Sequence, residues 1–183
     1  MARLPYVKRE DLPAHRRDTP LSNSNISRAL SNSPDVAHHS GLVAKFIRED
    51  MLLDARLREL AIIQVGYSTR CAYEYCHHIE IGLAVGVTEA DIRAIAQEAT
   101  GLSTDLDPLA KLVLQAAREM TSGTAIADDT FEALRRHLDN ECLVDLIFAI
   151  ANYNAVVRLL ESLKVDLEDA YRRYLVQFPL PEG

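Results

Sequence analysis

Residues 71–78, CAYEYCHH, hold two thiols, a carboxylate and two imidazoles. On an α-helix each residue turns by about 100°. Cys71, Glu74 and His78, spaced i, i+3, i+7, therefore share one face, while Cys76 and His77 point elsewhere. Upstream, Glu59 is the only acidic or basic residue between Arg58 and Arg70, in a stretch that is otherwise nearly all apolar. If the two segments pack together, Glu59, Cys71, Glu74 and His78 share a site walled by apolar residues. Such a site shifts proton affinities and supports general acid–base chemistry. Two carboxylates buried side by side would leave one of them protonated near neutral pH, with His78 free to take or give a proton.

Two helices must position these groups. Leu52–Tyr67 reads as a helix almost unbroken in apolar character, and Ala72–Val85 as a second. The short connection Ser68–Cys71 implies antiparallel packing. Gly86 offers a stop, and Thr88 with Asp91 offers the N-cap and N3 of the next helix. Cys71 has two readings, a small buried hydrophobe or a thiolate favoured by a helix N-terminus. The adjacent Glu74 opposes the second. A Cys71–Cys76 disulfide would have to span about 8 Å of helix, beyond bridging range. Glu74 and His77 form an i, i+3 pair of the type found in di-iron bundles, but no second Glu-x-x-His occurs. A single ion on Glu59, Glu74 and His78 is the remaining metal reading, and no metal or cofactor is expected. His77 is expected to be exposed, and adjacent His38 and His39 to be a solvated pair.

The same residues resemble the carboxymuconolactone decarboxylase family, which includes the alkylhydroperoxidase D proteins. That family places a Glu twelve residues before a Cys-x-x-Cys-x-x-x-His motif, and a Gly eight residues after its His. Glu59, Cys71, His78 and Gly86 stand at those spacings, with Glu74 at the second Cys position. The resemblance runs over Val43–Met120, with a weaker echo in Asn152–Leu167. It implies an alkylhydroperoxidase D-like helical bundle that assembles as a trimer or hexamer. It also implies one of two activities. One is a dithiol peroxidase (peroxiredoxin-type) activity using both motif cysteines, in which a Glu and a His relay protons. The other is cofactor-independent decarboxylation by acid–base groups around a small anionic lactone. Glu74 in place of the resolving Cys argues against dithiol turnover.

The wider chain fits an all-α domain. Its 183 residues are 48% hydrophobic, enough for one sizeable core. A net charge of −7 argues against a nucleic-acid partner. Three cysteines do not make a disulfide framework, and neither a signal peptide nor an uncharged membrane-length run is evident. A reducing cytoplasm, with no membrane partner, is the expected setting. Residues 1–21, with three prolines and many charges, read as an extended arm, either mobile or laid across a neighbouring surface. Residues 22–183 read as the helical domain. Helices are expected at Ser22–Leu30, Asp35–Asp50, Glu89–Glu98, Pro108–Met120 and Asp139–Leu163. A further helix is capped by Asp128 or Asp129 and runs to His137, and Leu167–Gln177 forms a last piece. Leu143–Leu160 is apolar on nearly every side, so it should be buried all round, in a core or a subunit interface. Cys142 on that helix reads as core.

Three functions follow in order. The first is a lyase or isomerase on a small organic acid, with Glu59, Glu74 and His78 as acid–base groups and Cys71 in the pocket. The second is a thiol antioxidant. The third is a non-enzymatic oligomeric binding protein of the same fold.

Overall fold

The computed structural model describes residues 1–17 and 22–182. Among these there is no strand. The α-helices are α1 (Asn25–Leu30), α2 (Pro34–Glu49), α3 (Ala55–Ser68), α4 (Ala72–Ala84), α5 (Glu89–Ala99), α6 (Pro108–Ser122), α7 (Asp128–Leu134), α8 (Asn140–Leu163) and α9 (Arg173–Gln177). Short 3-10 turns lie at Arg9–Asp11, Ala14–Arg16 and Asp169–Tyr171.

The all-round apolar character of α3 has a direct structural result. Every residue from Leu57 to Tyr67 is buried. A helix with no polar face must be central, and α3 packs against α4, α5, α6 and α8. Its pairing with α4 is antiparallel: Glu59 meets His78, Ile63 approaches Gly82, and Gly66 lies against Tyr75. The crossing is tightest at Gly66. A Cβ there would sit 2.8 Å from the Tyr75 backbone nitrogen and 2.9 Å from its Cα. Glycine is thus required for the approach that brings Glu59 and His78 together. The turn between the helices uses Arg70 at φ 56°, a left-handed conformation in a non-glycine residue.

Side-chain caps place the other helix starts. Asp54, Asp107 and Asp139 accept from the N3 amides of α3, α6 and α8, and Thr88 with Asp91 forms a reciprocal capping box on α5. Arg56, in the first turn of α3, ties two of these ends to its own helix. It donates Nε and Nη2 to Asp91 at 3.1 and 3.0 Å, and Nη1 to Asp107 at 3.0 Å. The start of α7 departs from expectation. Its N-cap is Ala127, with Asp128 and Asp129 in the first turn. The Ala127 amide is satisfied instead by Glu119 of α6, at 2.8 Å, so a tertiary contact replaces the local cap.

The long helix α8 is only partly buried by its own chain. Leu143, Leu146, Ile150, Tyr153, Val157 and Leu160 face the core, but Val144, Phe148 and Leu159 remain exposed within the single chain. The last piece breaks into the 3-10 turn at Asp169–Tyr171 followed by α9. The N-terminal arm lies along its own chain. The Arg3 amide donates to the Leu163 carbonyl at 2.9 Å, and the Tyr6 hydroxyl accepts from the Asp166 amide at 2.8 Å. The end of the arm, from Asp18 to Leu21, lies outside the described residues.

Candidate functional site

Helix α4 begins at Cys71, its N-cap, so Glu74 and His78 lie one turn apart on the face turned toward α3. Glu59, in the first half of α3, has no accessible surface, and Glu74 and His78 are buried at 3% and 5%. Imidazole Nδ1 of His78 lies 2.6 Å from Glu59 Oε2, and Nε2 lies 2.8 Å from Glu74 Oε1. Nδ1 is hydrogen-bonded to Glu59 and Nε2 is ion-paired with Glu74, and this double acidic contact favours the imidazolium form of the ring. On the far side of Glu59, Arg58 Nε donates to Oε1 at 3.0 Å. Arg58, Glu59, His78 and Glu74 therefore form a buried chain of alternating charge. Each ion is paired, as interior charge requires.

The proton affinities follow from this order. Burial alone raises the Glu59 carboxyl. The charge and hydrogen bond of His78, with those of Arg58, more than offset it and hold Glu59 below the usual carboxylate range. Burial lowers His78, but Glu59 and Glu74 raise it to about 9. Of the two carboxyls, one of which was expected to hold a proton, Glu59 is kept ionised by His78 and Arg58. The imidazole stands between Glu59 and Glu74, and the proton rests on the ring.

Cys71 has no accessible surface. Burial pushes its thiol up to about 12; the Glu74 amide opposes this, while the Glu74 and Glu161 carboxylates add to it. The thiol is protonated at neutral pH, which removes the premise of a resting thiolate. Cys76 is also pushed up to about 12 by burial, with the Leu175 backbone as its hydrogen-bond neighbour. All three cysteines are free.

His77 is not exposed as expected. Its ring stacks between Tyr73 (centroids 4.3 Å) and Tyr171 (3.8 Å), and Nε2 lies 2.8 Å from Glu168 Oε2. Glu168 also accepts from the Asn25 amide at 2.7 Å and from the Tyr73 hydroxyl at 3.1 Å. Burial opposes ionisation of Glu168, but His77 and the Asn25 amide bring its pKa down to about 2. This cluster ties α1, α4 and the chain after α8 together on the side away from Glu59. His39 Nδ1 bonds the Asp35 carbonyl at 2.8 Å, and the His38 and His39 rings meet edge to face.

Two neighbours of the relay carry no sequence motif. Tyr153 of α8 sets its ring against the His78 imidazole, centroids 4.6 Å apart and planes at 77°. Arg58 reads in sequence as a cation bounding an apolar helix, yet it is 4% exposed. For a metal, both His78 nitrogens are already committed to carboxylates. Among the described residues no group of three His, Cys, Asp or Glu side chains converges as a ligand set.

Residues 34–119 match the carboxymuconolactone decarboxylase family. No curated protein matches the chain by sequence. A solved alkylhydroperoxidase AhpD core, a peroxidase-related protein from Ralstonia eutropha JMP134, is 20% identical with a TM-score of 0.78, covering 99% of this chain and 98% of that one. A structure of the debrominase Bmp8, a cysteine-to-alanine variant in complex with 2,3,4-tribromopyrrole, is 17% identical with a TM-score of 0.73, covering 82% of each chain. A peroxidase-related protein from Silicibacter sp. TM1040 is 16% identical with a TM-score of 0.62, covering 80% of this chain and 77% of that one. These likenesses show the all-α alkylhydroperoxidase D-type fold.

Proposed function

We propose that this chain, whose residues 34–119 match the carboxymuconolactone decarboxylase family, is a cofactor-independent lyase or isomerase acting on a small organic acid or lactone. One observation carries the reading: His78 is held as an imidazolium between Glu59 and Glu74. That gives an acid and two acceptors in one buried cluster. When a carboxylate leaves as carbon dioxide, its bonding electrons pass to the neighbouring carbonyl as an enolate. His78 gives its Nε2 proton to quench the enolate while Nδ1–H stays on Glu59, and the negative charge of Glu74 beside Nε2 favours the return of a proton from water to that nitrogen. Glu59, fixed by Arg58, keeps the ring oriented. Cys71 serves as a wall of the cleft. The free cysteines suit a reducing cytoplasm, and the working form is a homo-oligomer.

The test is mutational. Glu59→Gln, Glu74→Gln and His78→Ala should each lower turnover by about 10²-fold or more, the usual worth of a general acid or base. Cys71→Ser should lower it far less.

A second reading has its own observation. The Bmp8 structure carries a cysteine-to-alanine change, and Cys71 caps a helix beside the relay. A thiol reaction at Cys71, with His78 as proton donor and an external thiol completing turnover, would be abolished by Cys71→Ser and spared by Glu74→Gln. That pair of results replaces the acid–base reading with this one.

A further inference from the structure

Arg58 presents an unbalanced account of donors. A guanidinium carries five N–H groups. Among the described residues, the side chain of Arg58 makes one hydrogen bond, from Nε to Glu59 Oε1. Four N–H groups on the terminal nitrogens have no acceptor among the described residues, in a residue only 4% exposed. Leaving buried charged donors unpaired is costly. The terminal nitrogens are not sealed, however. Among the described residues, the one side-chain nitrogen or oxygen both sealed and unbonded is Arg16 Nε. The terminal nitrogens of Arg58 therefore keep a narrow accessible edge.

Tyr153 repeats the pattern from the opposite helix. It is 5% exposed, and its hydroxyl bonds no described residue. By the same criterion that hydroxyl reaches accessible space. It stands in the fields of Glu74, Glu59, Arg48 and Arg58, and its ring meets the His78 ring at a steep angle. Two unspent donor groups, one a fixed cation, thus flank the relay. Arg48, at the end of α2, adds a second positive charge nearby. Arg48, Arg58 and the His78 imidazolium outnumber Glu59 and Glu74 by one positive charge, so this edge attracts an anion.

We propose that Arg58 and Tyr153 form a carboxylate-binding subsite beside the Glu59–His78–Glu74 relay, and that the substrate is a small organic anion held there by its carboxylate. The planar guanidinium edge receives both carboxylate oxygens, and the phenol donates to one of them. This rests on the acid–base reading and adds the recognition step to it. A carboxylate anchored at Arg58 lies next to Glu59, which His78 already touches, so the reacting carbon is brought to the proton donor.

The experiment measures binding without turnover. Benzoate and glutarate are titrated into the full-length protein by calorimetry, with benzamide and glutaramide as uncharged controls. The acids should bind and the amides should not. Tyr153→Phe, which keeps the ring on His78, should weaken acid binding about 10-fold, the worth of one hydrogen bond to a charged group. Arg58→Lys keeps the charge, loses the fork, and should weaken it at least as much. The imidazole NMR titration of His78 should stay near 9 in Tyr153→Phe. The subsite is wrong if neither acid binds the wild type, if the amides bind as well as the acids, or if both variants bind unchanged. Glu59→Gln separates the two ideas. It should lower turnover by about 10²-fold or more while retaining acid binding. Acid binding that depends on Arg58 and Tyr153, combined with undiminished turnover in Glu59→Gln, would keep the subsite and remove the acid–base mechanism.

Discussion

The imidazolium of His78 makes folding and chemistry depend on pH in the same direction. Its affinity is raised to about 9 in the folded chain, against about 6.5 in an unfolded one. The stabilisation it brings is therefore complete below about pH 6.5 and is lost as pH rises through about 9. Glu59 is shifted the other way, so its contribution is present above the ordinary carboxylate range and lost as pH falls below it. The melting temperature should be broadly level from about pH 5 to 7 and decline toward pH 10. His78→Gln should flatten the alkaline decline. A wild-type curve unchanged between pH 7 and 10 would remove the imidazolium from the relay. Thiol reactivity is a companion test. With Cys71 pushed up to about 12, iodoacetamide should label Cys71 in the folded protein slowly at neutral pH, no faster than Cys76 and more slowly than the partly exposed Cys142. The spacing of Glu59, Glu74 and His78 made this site legible in the sequence, because one helix face and one apolar neighbour suffice to place them. Tyr153, Arg58 and the stacking of His77 were not legible. Tyr153 and Tyr171 arrive from distant segments, and Arg58 differs from an ordinary helix-bounding cation only in its burial.

At the scale of elements, the crossing of α3 and α4 sets the relay, and Gly66 sets the crossing. Two effects compete in Gly66→Ala. Alanine favours the helix by about 1 kcal/mol, while overpacking costs about 1–3 kcal/mol. The obstructing atoms belong to the Tyr75 backbone, which moves only if α4 moves, so the cost takes the upper end and wins. Gly66→Ala should lower stability by about 1–2 kcal/mol in denaturant titration. It should also lower turnover, because Glu59 and His78 are drawn apart. The end of α8 gives the opposite case. Lys164 lies at φ 50°, while the Lys164 and Val165 amides close a Schellman motif on Glu161 and Leu160. A lysine there bears left-handed strain of about 1–2 kcal/mol, and glycine adds unfolded-state entropy of about half that size. Lys164→Gly should therefore stabilise the chain by about 0.5–1 kcal/mol, measured by the same titration. Helix starts with a local acceptor, such as Asp54, Thr88, Asp107 and Asp139, could be read from sequence alone. The start of α7 could not, because its amide is held by Glu119 on another helix.

For the whole molecule, α8 poses the question of what covers its outer face. By length and composition it could cross a membrane, and half of its apolar window is buried inside the chain. Asp145 argues for a place within a folded body. Its carboxylate is turned inward, where it accepts from the Leu52 and Leu53 amides at 2.8 and 3.1 Å. What remains outside is an apolar patch. Val144 is 63% exposed, Phe148 42%, Leu52 64% and Phe46 41%, and the Phe46 and Phe148 rings meet at 6.2 Å. Clustered large apolar side chains of this kind on a folded chain mark an interaction surface. Sequence could not divide this helix into core and patch, since both faces carry the same residue types. A symmetric self-contact uses one such face on every copy, and burying this one would complete the all-round burial that α8's composition calls for. Sedimentation equilibrium at micromolar concentration should give a mass of three or six times the 20.4 kDa chain. Phe148→Asp should shift that mass toward the single chain while the circular-dichroism spectrum stays helical, because Phe148 is outside the core. A wild-type protein that sediments as a single chain would leave the patch without its proposed occupant. A Phe148→Asp protein of unchanged mass would move the interface to another face.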